Sequence, residues 1–296
     1  MRIRRLVAIT AATGTLALGL AACGDSAEDA APKAGSTQGS AKPAEKKEAT
    51  PVEALQNATK AVEQQASAKV SVDAVDPADG NTKAEGTLSW EKGSEGAELS
   101  MDAASDPDLQ DMAGPDGKVH MTMADGGVYL PVEGEMAEAA GGKKWLKLDG
   151  ASAEDNPAAD LPHGPAAALA ALSTAPDLAE AGKEQVAGAE ATHYTGTVDI
   201  KKLAADTAVL ELIGKDERDA YVKELRTTGL KNTVKIEAWI GADDLAVQTV
   251  ESGTTAKGAA KLTIGYSGYG KTSAIKVPPA KDVTTFAEML QNAAQG

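Results

Sequence analysis

Residues 233–266 read TVKIEAWIGADDLAVQTVESGTTAKGAAKLTIGY. Apolar and polar residues alternate in three runs of this stretch, at 233–240, 245–251 and 259–266. Alternation with a period of two is typical of strands that bury one face and expose the other. The stretch therefore predicts successive strands of a sheet, each with one apolar face.

The same period of two runs through the preceding part of the chain, from residue 68 to residue 148. Asp-Gly pairs at 79–80, 116–117, 125–126 and 149–150 punctuate it, and such pairs favour tight turns. This half of the chain predicts an antiparallel meander. Its alternating apolar residues are Val70, Val72, Leu88, Trp90, Leu99, Met101, Val119, Met121, Met123, Val128, Leu130, Leu146 and Leu148.

Helix signals flank and interrupt the strands. Thr50-Pro51-Val52-Glu53 places Thr at an N-cap, Pro in the first turn and Glu at the capping-box position. We expect further helices near 215–226 and from Asp282 onward, a loop with one or two short helices at 151–182, and another strand at 191–200. The pattern predicts an α+β fold. About ten or eleven strands form one large antiparallel sheet that must curl, and helices cover one side of it.

The N-terminus resembles an export signal followed by a lipid anchor. Residues 1–22 have a basic start, an apolar run at 6–20 and small residues at the end. Residues 20–24, LAACG, match a bacterial lipobox, in which Cys23 receives a diacylglyceryl group and becomes the mature N-terminus. Two acyl chains suffice for stable anchoring. We expect residues 23–51 to be the lipidated Cys and a disordered tether, and residues 52–296 to be a single domain outside the plasma membrane.

Composition excludes several kinds of site. The one Cys in 296 residues rules out a disulfide framework, a Cys-based zinc site and an iron–sulfur cluster within one chain. Three His residues leave little for a metal centre, and we expect neither a metal nor a cofactor. The net charge of −15 argues against a nucleic-acid surface, because phosphate contacts need clustered Lys and Arg.

Candidate catalytic patterns fail on spacing. Residues 265–269, GYSGY, depart from a nucleophile elbow because Tyr269 stands where that motif needs Gly. His193 alternates to the strand face opposite Tyr194 and Val198, so we expect a surface or packed His. No catalytic residue is predicted, and the chain is not expected to be an enzyme.

An acidic cluster and a strand tryptophan are two further candidates for ligand binding. Asp106, Asp108 and Asp111 lack the Gly and terminal Glu of a calcium loop in register, so they predict a solvated acidic loop. Trp239 falls on the polar side of its strand. This residue is expected on the outer face of the sheet or at its rim, and stacking on a ligand is the alternative.

Three segments carry a family resemblance. GAEATHYTGTVD at 188–199, IEAWIGADDL at 236–245, and YSGYG at 266–270 with VPPA at 277–280 resemble conserved stretches of actinobacterial LppX/LprG-type lipoproteins. The resemblance implies a LolA-like half-barrel, a long curved antiparallel sheet whose concave face holds helices and an apolar cavity. It also implies that the cavity binds or carries lipids or lipidated glycans.

The predicted function is that of a membrane-anchored lipoprotein that binds or carries a lipid or lipidated molecule without catalysis. Helices ending near Ala66 and beginning near Asp282 are candidates for a lid. The alternative is a non-enzymatic interaction or structural lipoprotein whose half-barrel is packed and empty. We expect a monomer with a possible envelope protein partner and no nucleic-acid partner. The candidate cavity residues are Val119, Met121, Met123, Val198, Ile236, Ile240, Leu262 and Ile264.

Overall fold

The computed structural model of the chain describes residues 49–77, 80–105, 112–132, 136–148, 164–271 and 274–293. All structural statements concern these residues. The predicted export signal, Cys23 and the predicted tether before residue 49 lie outside them, as do Asp106, Asp108 and Asp111.

Strands hold more of the described residues than helices do. Their bounds are β1 Ser67–Asp76, β2 Gly80–Ser89, β3 Gly96–Asp102, β4 Lys118–Ala124, β5 Gly127–Pro131, β6 Trp145–Leu148, β7 Ala179–Val186, β8 Ala189–Asp199, β9 Thr233–Gly241, β10 Ala246–Thr254, β11 Ala259–Ser267 and β12 Val283–Thr285. The α-helices are α1 Pro51–Glu63, α2 Met136–Ala139, α3 Ala166–Leu172, α4 Ile200–Leu203, α5 Thr207–Ile213, α6 Lys215–Thr227 and α7 Phe286–Ala293.

All twelve strands belong to one curved, open sheet in the order β12-β6-β5-β4-β3-β2-β1-β11-β10-β9-β8-β7. Neighbouring strands are antiparallel except β12 and β6, which are parallel. The two meanders join where β1 pairs with β11, with Val70 opposite Tyr266. The α+β class with a large curved antiparallel sheet is therefore confirmed.

The expected strand number of ten or eleven was low, because the sequence pattern missed two strands. β7 is an edge strand that is exposed on both faces along most of its length, so its residues show no apolar alternation. β12 has three residues, too few to show a period. The last helix also begins at Phe286 and not near Asp282, because residues 283–285 pair with β6.

Local signals are confirmed where the structure describes them. The amide of Thr50 donates to the Glu53 carboxylate at 2.8 Å, and the Glu53 amide donates to the Thr50 hydroxyl at 3.3 Å. Asp125 and Gly126 have φ angles of 49° and 67°, the left-handed values of a tight β4–β5 hairpin turn. Residue 79 and the pair 149–150 lie outside the described residues.

Helices α1, α3, α4, α5 and α6 pack together on one face of the sheet. Helix α3 lies at the centre of this layer, and none of its seven residues is more than 6% exposed. Its Ala side chains are small, which lets α1 and α5 and the strands β8 and β9 approach closely. The core lies between this helix layer and the sheet. We call the covered face of the sheet its inner face and the opposite one its outer face.

Candidate functional site

The strand register places all eight candidate cavity residues on the inner face. In the first half of the sheet, Met123 is opposite Ala97, which is opposite Leu88, and Leu88 is opposite Ala68 of β1. Met121 and Val119 follow Met123 at intervals of two, and they therefore point the same way.

The second half continues the same row from β1. Val72 is opposite Ile264, Ile264 is opposite Thr249, and Thr249 is opposite Ala238 of β9. Leu262 lies two residues before Ile264 in β11 and points to the same face. Ile236 and Ile240 lie two residues either side of Ala238 and also point inward. Val198 is paired with Val234, which points to the inner face as well.

Sharing a face does not bring the eight residues into one cavity. Met123, Val198, Ile236, Ile240 and Ile264 are buried in the main core beneath the helices. Val119 is buried in a smaller cluster with Met101 and Leu130, while Met121 and Leu262 are partly buried. Their role as ligand lining stays a prediction.

Leu262 lines a crevice of about 130 Å³ between α6 and the ends of β1, β10 and β11. The lining is mainly apolar, with Ala74, Leu225 and Leu230 beside Leu262. Gly253 of β10 lets Leu230 and the backbone of Thr233 pack closely against the strand, because a Cβ there would lie 2.7 Å from Leu230 Cδ2 and 3.1 Å from the Thr233 carbonyl oxygen. This wall of the crevice therefore requires a residue without a side chain.

A tyrosine–carboxylate pair lies at this crevice. The Tyr221 hydroxyl of α6 donates to Glu251 Oε1 of β10 at 2.9 Å, so the bond joins the helix to the sheet. Burial raises the pKa of Glu251 to about 7, although the hydrogen bond from Tyr221 acts in the opposite direction. Burial, with the nearby Glu251 carboxylate second, also raises the pKa of Tyr221 well above its ordinary value.

Two more tyrosines extend the polar region along the inner face. The hydroxyl of Tyr266 lies 3.3 Å from Thr249 Oγ1, and Tyr269 donates to the Ala246 carbonyl oxygen at 2.7 Å. Burial raises the pKa of both phenols, so both stay neutral and act as hydrogen-bonding groups. The inner face thus combines aliphatic rows with several separate hydrogen-bonded hydroxyl groups.

The sequence analysis gave Glu251 no role, and β10, the strand that holds it, contains a β-bulge. The register shifts between Ala246 and Gln248, so Ala246 and Thr249 both face the helices although they are three residues apart. Simple alternation groups Glu251 with Val247, yet Val247 packs in a cluster with the outward-facing Trp239 and Glu251 points inward. The signal that points to Glu251 is a carboxylate on the apolar face of a strand, and it can be recognised once the strand register is known.

His193 and Trp239 lie together on the outer face. Their rings stack with centroids 4.2 Å apart and an interplanar angle of 11°. His193 Nδ1 is 2.9 Å from Glu184 Oε1, and its Nε2 is 3.4 Å from Glu237 Oε1. Trp239 is 8% exposed, and one of its ring faces is covered by this His.

Asp199 caps the helix that follows β8. Its carboxylate accepts hydrogen bonds from the amides of Lys201 and Lys202 at the start of α4. Among the described residues, no three His, Cys, Asp or Glu side chains are grouped so as to hold a metal ion. No helix in that part of the chain has both the length and the apolar composition needed to cross a membrane.

A curved twelve-stranded sheet with one helix-covered face defines an α+β protein of the half-barrel kind. The chain is 30% identical over 218 residues to an uncharacterized 31.2 kDa protein of Streptomyces griseus encoded in the rplA–rplJ intergenic region. The match covers 71% of this chain and 70% of the relative, and the chain belongs to the family of that protein. No family model matches it.

Two solved structures of mycobacterial proteins resemble the fold. LprF from Mycobacterium bovis is 16% identical with a TM-score of 0.47, and the match covers 78% of this chain and 97% of LprF. Lipoprotein LppX from Mycobacterium tuberculosis is 13% identical with a TM-score of 0.44, covering 76% of this chain and 98% of LppX. The sequence motifs predicted a resemblance to LppX-type proteins, and LppX is among the solved structures to which this chain is similar.

Proposed function

We propose that the protein binds an apolar or lipidated molecule against the inner face of its sheet and holds it without catalysis. In this proposal, acyl chains on Cys23 tether the domain to the outer face of the plasma membrane, and the ligand comes from that membrane or returns to it. The resemblance to LppX/LprG-type lipoproteins implies the same kind of ligand. Burial of its chain would contribute about 25 cal/mol per Å² of apolar area removed from water.

The observation that carries the proposal is the apolar crevice beside α6. It adjoins Leu225 of the helix and Leu262 of the inner face, so a chain entering there would reach the main core. Its volume of about 130 Å³ is below the roughly 300–1,000 Å³ of typical ligand pockets. Binding an acyl chain therefore requires α6 to move away from the sheet.

Features at the ends of α6 support such a movement. Gly214 precedes the helix with a φ of 81° and gives no side-chain cap, and Gly229 follows it with a φ of 72°. Glycine adopts these angles without steric cost and changes them readily. The helix is thus bounded by two residues that can act as hinges, and the Tyr221–Glu251 hydrogen bond holds it in the closed position.

A second candidate function is an interaction or structural lipoprotein with an envelope protein as its partner. The observation that favours it is the burial of all seven residues of α3 in the middle of the inner face. A core packed in this way is stable without a ligand, and the outer face would then carry the function.

Binding by the full chain carrying Cys23→Ser distinguishes the two functions. Native mass spectrometry after purification should show a bound lipid, and added monoacylglycerol should bind in competition with it. Leu262→Trp fills the crevice and should weaken binding at least tenfold.

The matched control is Thr263→Trp, because Thr263 is the next residue of β11 and points to the outer face. Equal binding by the two Trp variants would exclude the crevice as the entry route. A chain that is always empty and binds none of the added lipid would favour the interaction protein.

A further inference from the structure

We infer that Glu251 is a specificity-determining residue, which makes the α6 crevice accept amphiphiles with an uncharged hydroxyl headgroup and reject those with an anionic one. The inference rests on the proposed function and names the ligand class of the same site. It predicts which headgroup the ligand carries, whereas the apolar lining predicts only that the ligand has an apolar chain.

The first step of the argument is where the carboxylate lies. Glu251 and Leu262 are opposite each other in β10 and β11, both line the crevice, and both point to the inner face. One Glu251 oxygen accepts the Tyr221 hydroxyl at 2.9 Å. A carboxylate has several acceptor positions, so Glu251 retains capacity to accept a hydrogen bond from a ligand hydroxyl.

The second step is the sign of the charges around it. The described residues that line the crevice include Asp76, Glu224 and Glu251 as acids and Lys261 as a cation. Lys261 is exposed and is paired with Val75 and Ser252. It directly precedes Leu262 in β11, so the two side chains leave opposite faces of the sheet. Its side chain therefore starts from the outer face of the sheet, whereas that of Glu251 starts from the inner face.

The third step is the cost of a second negative charge. Burial already disfavours the charged form of Glu251. An anionic headgroup brought next to it would add like-charge repulsion in a region of low dielectric constant, where charges are screened poorly. An uncharged hydroxyl avoids this repulsion and can donate to Glu251 or accept from Tyr221.

The test uses two ligands that differ in one group, 1-palmitoylglycerol and 1-palmitoylglycerol 3-phosphate. Their dissociation constants for the full chain carrying Cys23→Ser are measured at pH 8 by native mass spectrometry. We expect the uncharged ligand to bind at least tenfold more tightly. Glu251→Gln keeps the shape and removes the charge, so it should reduce this ratio at least threefold through tighter binding of the phosphate.

Control variants separate selectivity from structure. Glu237→Gln is the matched control, because Glu237 pairs with Val250 beside Glu251 but faces outward, and it should leave the ratio unchanged. Tyr221→Phe removes the hydrogen bond and keeps the charge, so it should keep the preference even if overall affinity changes.

Each result has one meaning. Equal affinities of the Cys23→Ser chain for the two ligands would overturn the inference and leave the proposed function standing. An unchanged ratio in Glu251→Gln would also overturn it and make the carboxylate a structural partner of Tyr221 only. Failure of the Cys23→Ser chain to bind either ligand would overturn the proposed function and the inference with it.

Discussion

Tyr221 of α6 and Glu251 of β10 are joined by a hydrogen bond of 2.9 Å, thirty residues apart in the chain. This bond brings a titratable carboxyl into the contact between the helix layer and the sheet. Tyr221 and Glu224 face it from α6, with Tyr266 nearby on β11. The pair connects the stability of the fold with the position of the helix that borders the crevice.

The stability of the domain should fall as the pH rises from about 4.5 to about 7. Burial raises the pKa of Glu251 from 4.5 to about 7, so the folded chain binds more protons than the unfolded chain in this window. The stabilising contribution is complete below the unfolded pKa and is lost as the pH rises through the folded one. The loss is at most about 3 kcal/mol.

Urea unfolding of the wild-type chain and of Glu251→Gln at pH 5 and pH 8 measures this contribution. The variant should lose less stability between the two values, because its amide does not titrate. A parallel pH dependence in the two proteins would show that Glu251 does not carry the effect.

Gly253→Ala should destabilise the domain by about 1–3 kcal/mol, the usual cost of overpacking. The added Cβ would lie 2.7 Å from Leu230 Cδ2 and 3.1 Å from the Thr233 carbonyl oxygen. Thermal or urea unfolding measures the loss. The double variant with Leu230→Ala tests the cause, since it removes the closer contact. If Gly253→Ala costs as much in that background, the clash with Leu230 is not the reason.

Thr50→Ala should lower the free energy of unfolding by about 0.5–2 kcal/mol, because Thr50 caps α1. Its hydroxyl accepts the Glu53 amide at 3.3 Å, and α1 buries Leu55 and Val62 in the main core. Thr50→Ser keeps the hydroxyl and serves as the control. Equal losses in the Ala and Ser variants would mean that the cap does not contribute.

Cys23→Ser should move the protein from the membrane fraction to the soluble fraction, because it removes the only thiol that could be acylated. Cell fractionation and labelling with a radioactive palmitate measure the two consequences separately. Continued acyl labelling of the variant would contradict the lipobox interpretation. Membrane retention without labelling would point to an uncleaved signal segment.

The inner face was largely predictable because alternation is a property of each strand. Candidate residues as far apart in the chain as Met123 and Ile264 lie on the same face of the sheet. Which part of that face borders a crevice was not predictable. The helices leave space beside Leu262 but bury Ile236 and Val198 completely or nearly so. This difference depends on where α6 lies, and α6 is distant in sequence from β1 and β11.

The sequence by itself determined the features whose interactions span a few residues. The Thr50–Glu53 capping box is of this kind, because both partners of its hydrogen bonds lie within four residues. The Asp125-Gly126 turn is another, because its two residues themselves adopt the left-handed backbone angles. The apolar alternation of the strands belongs with them, since burial of one face leaves a period of two in any strand of sufficient length.

Only the tertiary structure decided the features that join distant segments. The pairing of β1 with β11, the three-residue strand β12 beside β6 and the covering of the sheet by α6 are not encoded in a local pattern. The register of β10 is the clearest case. A bulge between Ala246 and Gln248 shifts the register of β10 by one residue, and such a shift reverses the face of every side chain that follows.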